Sequence, residues 1–200
     1  MEIGFDFDDT LVDLCGPLLK FWNKSLGKEF SKENFITHRH DEILQISKEK
    51  VISGFLDFDR TPEAQNLPVI AGAREFLVLL KELGHKVIII TSRPEQIAPQ
   101  TWKMVNCYFP ELVADMHFCT SIGVEGEIVS KAQICLSRNI RIMFEDRADH
   151  AKKCTNKGIH VGLFHQPWNW HETFPDTENL VTRVLAWDHA TPRELVDRVN

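Results

Sequence analysis

Three carboxylates stand within four residues near the start of the chain, at Asp6, Asp8 and Asp9. Carboxylates this close repel one another unless a cation lies among them. Asp6 and Asp8 are two residues apart, so on an extended strand their side chains face the same way. Thr10 and the apolar residues after it predict that this strand leads into a helix. Because ligands bind at the carboxyl ends of strands in open α/β sheets, these residues indicate a metal and phosphate site.

Three later segments carry the other side chains that such a site needs. Each follows a predicted strand or begins a predicted helix, and in a doubly wound sheet all of them could meet at one edge. The residues are Thr91, Ser92 and Arg93 after an apolar run, Lys131 in the first turn of a helix, and Glu145 and Asp146 after another strand.

The elements that would position these residues alternate between strands and helices. We predict strands at Ile3–Phe7, Val87–Ile90, Met116–Cys119, Ile140–Phe144 and Ile159–Phe164. We predict helices at Asp13–Leu26, Asp41–Phe58, Arg74–Leu83, Gln96–Cys107, Ser130–Ser137, Ala148–Asn156 and Pro192–Val199. This alternation predicts an α/β fold with a Rossmann-like parallel sheet and helices on both faces.

The connection between the first two predicted strands is far longer than a simple crossover needs. Its middle part is mostly helical and rich in aromatic residues. We therefore predict a small helical cap at residues 15–68, inserted after the first strand. Residues 1–14 and 69–200 would form the catalytic core.

Composition limits the classes of partner. The 200 residues carry a net charge of −6, which argues against long nucleic acid, because binding its backbone requires a basic face. No apolar run approaches the length of a membrane span, and we expect no signal peptide before the first strand. The five cysteines show no paired spacing, which favours reduced thiols and a cytoplasmic location. The oligomeric state stays open.

The four motifs, in this order, resemble those of the haloacid dehalogenase superfamily of phosphohydrolases, over residues 1 to about 165. The resemblance implies that Asp6 is a nucleophile that forms an aspartyl-phosphate. It implies that Asp8 protonates the leaving oxygen and then activates water. Lys131 and a divalent cation would stand beside the nucleophile and keep its carboxylate ionised.

The same resemblance implies a Mg²⁺ site built from oxygen ligands. Asp6, Asp146 and the backbone carbonyl of Asp8 would bind the ion, and Glu145 would support them. Thr91 would hold the phosphoryl oxygens, with further phosphate or substrate contacts from Thr10, Ser92 and Arg93.

Several of these residues have a simpler interpretation from the sequence alone. Thr91 or Ser92 could cap the following helix. Arg93 could form a surface ion pair with Glu95 rather than bind phosphate. His38 and His40 form a weak metal motif, for which an exposed loop is the favoured interpretation.

Two late segments point to a class of substrate. The run at residues 161–169 and the pair Trp187 and Asp188 resemble the 5′-nucleotidases of the cytosolic deoxyribonucleotidase type and their bacterial and phage relatives. That resemblance implies nucleoside monophosphates as substrates, with cap aromatics around the base. Residues 167–170 could flank the site or form an interface. We expect one or two of the cap aromatics to contact substrate, although aromatics at helical spacing also form cores: Phe21, Trp22, Phe30, Phe35, Phe55 and Phe58.

Other functions remain open at this stage. A sugar-phosphate or other small-metabolite phosphatase would use the same core, and so would a phosphatase of polynucleotide ends, although the acidic composition disfavours it. A non-catalytic phosphate-binding module is disfavoured by the complete set of motif residues. Asp8 disfavours a dehalogenase, which has no leaving oxygen to protonate. The glycine-rich motifs of P-loop kinases and NAD enzymes are absent from the sequence.

Overall fold

The computed structural model describes residues 1–120, 127–187 and 190–199. Its centre is a six-stranded sheet in the order β3-β2-β1-β4-β5-β6, in which every neighbouring pair is parallel. The predicted α/β fold with a Rossmann-like parallel sheet is confirmed. The strands are β1 (Glu2–Phe5), β2 (Lys86–Pro94), β3 (Val113–Thr120), β4 (Ile142–Glu145), β5 (His160–Phe164) and β6 (Val181–Val184).

Helices connect these strands and cover the sheet. They are α1 (Cys15–Leu26), α2 (His40–Leu44), α3 (Lys48–Phe58), α4 (Ala73–Glu82), α5 (Ala98–Tyr108), α6 (Lys131–Ser137), α7 (Ala148–Thr155) and α8 (Thr191–Val199). Short 3₁₀ helices occur at Lys32–Asn34, Glu95–Ile97, Pro167–Asn169 and Glu178–Leu180.

Several elements differ from the sequence prediction. β1 ends at Phe5 and not at Phe7, so Asp6 and Asp8 lie beyond the strand and do not share one of its faces. β6 was not predicted, because only one of its four residues is buried and its apolar pattern is weak. β2 continues to Pro94, so the segment Thr91–Arg93 lies inside the strand and not after it. The single helix predicted over Asp41–Phe58 is two helices, because Gln45 adopts a left-handed conformation (φ 57°) that ends α2.

β1 is the point at which the strand order reverses, since β2 lies on one side of it and β4 on the other. Such a switch point leaves a crevice at the carboxyl ends of the strands. Close packing of β1 requires Gly4, where a Cβ would lie 2.7 Å from the sulfur of Met143. The residues that follow β1 and β4 therefore meet at the centre of the sheet edge.

An aromatic cluster fills one face of the sheet below this edge. The rings of Phe5 and Phe144, from neighbouring strands, stack with centroids 4.8 Å apart. Phe76 of α4 stacks on Trp187 at 5.0 Å, and both rings contact Phe144. This packing holds the ends of β1 and β4 in fixed positions. Asp188, which the sequence pattern paired with Trp187, lies outside the described residues.

The segment between β1 and β2 contains α1, α2 and α3, and it packs largely through its own aromatic rings. Phe21 contacts both Trp22 and Phe58, and Trp22 contacts Phe55. A Cβ at Gly54 would collide with the Trp22 ring, so this glycine lets α3 lie close against α1. The other two candidate aromatics, Phe30 and Phe35, contact each other, so each of the six packs against another ring of the set. The division into a core and a cap at residues 15–68 stays a prediction.

Within the described residues, no helix has the length and apolar character needed to cross a bilayer.

Candidate active site

The turn after β1 places the first motif at the sheet edge. The backbone N–H of Asp6 donates to the carbonyl of Phe144 at 2.8 Å, so Asp6 directly extends the pairing of β1 with β4. The chain then folds back tightly, because the N–H groups of Leu11 and Val12 both donate to the carbonyl of Phe7. Asp9 lies at the tip of the turn with φ 53°.

Asp6 lies in a buried ion-pair network. Lys131, the first residue of α6, places its Nζ 2.7 Å from a carboxylate oxygen of Asp6 and 2.7 Å from one of Glu145. The three side chains are 7%, 1% and 0% exposed, in the order Asp6, Lys131, Glu145. Ser130 fixes the start of α6 because its hydroxyl accepts from the backbone of Gln133. Lys131 is therefore a buried member of this network and not a solvated surface lysine.

Glu145 and Asp146 follow one another at the end of β4. The Glu145 carboxylate accepts from the backbone N–H groups of Asp146 (3.2 Å) and Arg147 (3.1 Å), which fixes its orientation. One carboxylate oxygen from each of Asp6, Glu145 and Asp146 lies within 4.8 Å of the others. The sequence-predicted ligands of the first and fourth motifs thus come together.

The charges of this cluster do not balance. Burial and the neighbouring carboxylates raise the pKa of Asp6 to about 7 and that of Asp146 well above its usual value. Lys131 holds the pKa of Glu145 well below its usual value, although burial opposes it. Three carboxylates face one ammonium group, so a further cation would stabilise their ionised forms. An all-oxygen donor set of this size fits a hard divalent cation.

The Asp8 carboxylate pairs with a different cation, the guanidinium of Arg93. Arg93 donates two hydrogen bonds to its carboxylate, from Nε at 2.8 Å and from a terminal nitrogen at 2.7 Å. The guanidinium also lies 4.8 Å from the centre of the Phe7 ring. Among the described ion pairs, Arg93 thus joins Asp8 and not Glu95, since β2 carries its side chain toward the turn.

The remaining predicted phosphate contacts lie close to the turn or on β2. Thr91 is fully buried, and its hydroxyl accepts from the backbone N–H of Arg93 at 3.1 Å. It does not cap a helix, because it lies within the strand. The hydroxyls of Thr10 and Ser92 are buried and have no hydrogen-bond partner among the described residues.

Residues 166–169 belong to the run that the sequence analysis singled out, but their hydrogen bonds to the first and fourth motifs were not predicted. Trp168 donates its indole N–H to the Asp146 carboxylate at 2.8 Å, and Asn169 donates to the Asp146 carbonyl at 2.6 Å. Gln166 donates to the carbonyl of Asp9 at 3.0 Å. This segment flanks the acidic cluster. Sequence reasoning identified the apolar run and the proline but had no signal for these partners.

The exposed-loop interpretation of His38 and His40 is wrong. The His38 ring lies 5.3 Å from the Trp168 ring, and the His40 ring lies 5.2 Å from the Phe35 ring. Burial lowers the pKa of His38 to about 3 and that of His40 to about 4. Both rings are therefore neutral packing groups, His38 against Trp168 and His40 against Phe35 and Phe55.

A cleft of about 200 Å³ lies beside Arg93, between the end of α3 and helix α5. Its apolar floor contains Ile97 and Met104, and burial there raises the pKa of Asp59. Its polar wall is formed by Asp59, Gln65, Asn66, Gln100 and Lys103. Three of these five side chains, Gln65, Asn66 and Gln100, are carboxamides, which both donate and accept hydrogen bonds.

Comparisons with known proteins agree with this geometry. A sequence model of the family described as "5′ nucleotidase, deoxy (Pyrimidine), cytosolic type C protein" matches residues 1–196. A "putative nucleotidase" of Bacillus cereus is 26% identical over 194 residues, which cover 94% of each chain. A "putative nucleotidase" of Oceanobacillus iheyensis is 32% identical over 123 residues, 59% of this chain and 64% of the relative, so that match spans less than two thirds of the relative's length.

The comparison with solved structures gives the fold. A haloacid dehalogenase-like hydrolase of Streptococcus pneumoniae superposes with a TM-score of 0.65 at 14% sequence identity. The match covers all of this chain and 98% of that one. At this level of identity the likeness shows the fold, which is the haloacid dehalogenase fold that the four motifs indicated.

Proposed function

The chain belongs to the cytosolic type C 5′-nucleotidase family, whose members have the fold of the haloacid dehalogenase phosphohydrolases, and on that premise we propose that it is a Mg²⁺-dependent 5′-nucleotidase. It would hydrolyse phosphoric monoesters of nucleosides or deoxynucleosides through an aspartyl-phosphate. The observation that carries this proposal is the buried contact of Asp6 with Lys131 at the end of β1. The family's name favours a cytoplasmic location.

Asp6 is the proposed nucleophile. Its carboxylate would attack phosphorus while the bond between phosphorus and the ester oxygen breaks, which leaves phosphate bound to Asp6. Lys131 would hold the attacking carboxylate in place and offset its charge. Water would then attack the phosphorus, break the bond to Asp6 and release inorganic phosphate.

Asp8 is the proposed acid and base. In the first step its carboxyl group would give a proton to the leaving ester oxygen, and in the second it would take a proton from the attacking water. Arg93 donates to both carboxylate oxygens of Asp8, so one of these hydrogen bonds would open when that oxygen carries the proton, and the other would keep the side chain aimed at the ester oxygen. Thr91, with the hydroxyls of Thr10 and Ser92, would contact the phosphoryl oxygens.

The metal proposal rests on the donor set. Asp6, Asp146 and the backbone carbonyl of Asp8 would hold Mg²⁺. Glu145 would hold Lys131 beside these ligands. When bound, the ion offsets the negative charge of the transferring phosphoryl group and of the carboxylates. The excess of carboxylates over ammonium groups in the cluster supports a divalent cation there.

The cleft beside Arg93 is the proposed binding place of the leaving group. It adjoins the Asp8 side of the site, where the ester oxygen must be protonated. Its carboxamides, from Gln65, Asn66 and Gln100, can pair with the donor and acceptor groups of a nucleobase or with sugar hydroxyls. This chemistry also serves a sugar phosphate, which is the second candidate substrate.

A phosphate-release panel with Mg²⁺ separates the two substrates. We expect a nucleoside monophosphate to exceed ribose 5-phosphate in kcat/KM, because binding energy from the base helps to hold the reacting centre. Equal hydrolysis of both compounds would contradict a nucleotidase and favour a sugar-phosphate phosphatase. No hydrolysis of any monoester would favour a phosphate-binding module.

Variants of α5 test whether the cleft reads the base. We expect Gln100→Ala to lower kcat/KM for the nucleotide about 3- to 10-fold, the range for loss of one hydrogen bond, and to leave ribose 5-phosphate unchanged. Asn106→Ala is the matched control, because Asn106 is exposed on the same helix outside the cleft. Equal losses for both substrates would place base recognition elsewhere.

A further inference from the structure

Trp168 joins the acidic cluster to the segment between β1 and β2. Its indole N–H donates to a carboxylate oxygen of Asp146 at 2.8 Å, and its side chain is among the buried ones, with 7% exposed. On its other side, the ring faces the ammonium of Lys32 at 5.4 Å and the ring of His38 at 5.3 Å. The indole is thus packed between two parts of the chain that lie far apart in sequence.

The main chain of Asp146 is fixed by a separate contact. The amide of Asn169 donates to the Asp146 carbonyl at 2.6 Å and to the Phe164 carbonyl at 2.8 Å. Arg183 in turn donates to the Asn169 side chain at 2.7 Å. The backbone of Asp146 is therefore held without Trp168, and the indole N–H acts on its carboxylate alone.

The carboxylate of Asp146 would otherwise be poorly oriented. Burial and the charges of Glu145 and Asp6 act against its ionised form, whereas the N–H of Trp168 donates to it. A hydrogen bond to an ionised acceptor is stronger than one between neutral groups. One oxygen bound by the indole leaves the other free to face the cluster.

We propose that Trp168 is a positioning residue that holds the Asp146 carboxylate ready to bind the divalent cation. The inference rests on the proposed metal site and names a residue that controls it. Partners that orient metal ligands typically change metal affinity by about 10- to 100-fold when they are removed.

The variant Trp168→Phe removes the N–H and keeps a ring for Lys32 and His38 to contact. Titration calorimetry with Mg²⁺ should show a dissociation constant about tenfold or more above that of the unchanged protein. Trp170→Phe is the matched control, because Trp170 lies two residues away, is 47% exposed and stacks on His165. We expect its dissociation constant to stay within about twofold of the parent value.

Kinetics separate positioning from a packing defect. For Trp168→Phe, saturating Mg²⁺ should restore kcat to near the parent value with KM for substrate unchanged, because only the binding of the ion is weakened. A packing defect would lower kcat at every metal concentration. Mg²⁺ affinity equal to that of the parent would overturn the proposal, and so would a loss of kcat that Mg²⁺ does not restore.

A measurement on the unchanged protein covers the case in which the variant does not fold. In ¹⁵N NMR spectra, the indole N–H resonance of Trp168 should shift during a Mg²⁺ titration, because the Asp146 carboxylate that accepts its hydrogen bond would bind the ion. The shift should follow the dissociation constant found by calorimetry. If Mg²⁺ binds and no indole resonance shifts, the role of Trp168 is wrong and the metal site stands. If Mg²⁺ does not bind at all, the proposed metal site fails and this inference fails with it.

Discussion

The two aspartates of the first motif are only two residues apart but lie in opposite surroundings. The Asp6 side chain is 7% exposed and contacts Lys131, in a network that also includes Glu145. The Asp8 side chain is 18% exposed and contacts Arg93, beside the cleft and Asp59. The partners of both aspartates lie at an end of a core element, but Arg93 also borders the segment between β1 and β2 through the cleft.

This difference separates two tasks. The position of Asp6 is set by the pairing of β1 with β4 and by the start of α6, so it is as rigid as the core. The position of Asp8 is set by one arginine at the end of β2, whose guanidinium also faces the cleft. We infer that the buried side carries the chemistry common to all substrates, and that the Asp8 side adapts to the leaving group.

The largest effect should come from breaking the buried side. Lys131→Met leaves the carboxylates of Asp6 and Glu145 without their shared partner, and removal of one member of a buried ion pair costs about 3–5 kcal/mol. Urea unfolding of the metal-free protein should show a loss of this size, together with loss of turnover. Lys153→Met is the control, because its pair with Glu127 is half-exposed and contributes about 0–1 kcal/mol. Equal losses for both variants would mean that the network does not stabilise the fold.

A smaller and different effect should follow from a change on the Asp8 side. Arg93→Lys keeps the charge but loses the two-pronged contact with Asp8, and such substitutions are not conservative. We expect kcat to fall by roughly 10- to 100-fold from misplacement of the acid. The free energy of unfolding should fall by about 1 kcal/mol, less than in Lys131→Met, because lysine keeps a positive charge beside Asp8. Arg60→Lys, at an exposed pair with Asp57, should change neither quantity. A large loss of stability in Arg93→Lys would contradict the division between the two sides.

The smallest effect is one of pH on the buried side. Burial raises the pKa of Asp6 from its usual 3.8 to about 7, so the folded protein binds this proton more tightly than the unfolded chain. The stability that protonated Asp6 contributes is present below about pH 4 and is lost as pH rises through about 7. Mg²⁺ should therefore raise the melting temperature more at pH 8 than at pH 6, where it must displace the proton. Melting curves with Mg²⁺ or with chelator measure this, and an equal or larger shift at pH 6 would contradict it.

The sequence predicted the parts of the molecule that depend on strong local patterns. Apolar, β-branched runs such as Val87–Ile90 identified the buried strands, and the order of the motifs brought Asp6, Lys131 and Asp146 to one edge. The end of β2 was missed because Thr91 and Ser92 are polar, yet the strand continues: Thr91 pairs with Phe118 and Pro94 with Thr120 of β3, with an irregular register between them. The break after α2 was missed because it depends on one left-handed residue, Gln45, that the apolar pattern does not mark.

The partners of Asp8 and Asp146 could not be predicted, because they come from distant parts of the chain. The contact between Arg93 and Asp8 spans 85 positions, and that between Trp168 and Asp146 spans 22. No local pattern specifies which of several cations or donors will face a given carboxylate. The cap aromatics show the same limit, since Phe21 and Trp22 fit either a substrate site or the core that they mainly form.

The most direct test of the central claim is rapid-quench kinetics of Asp8→Asn with p-nitrophenyl phosphate. An aryl ester needs little help from an acid, so the first step should proceed, whereas the second step lacks its base. We predict that Asp8→Asn releases a burst of p-nitrophenol equal to the enzyme concentration and then stalls as a phosphoenzyme that hydroxylamine cleaves. Asp6→Asn should show no burst. A nucleotide should be slowed in the first step by about 10²–10⁴-fold. Equal losses for aryl and alkyl esters without a burst would contradict the separate roles of Asp6 and Asp8.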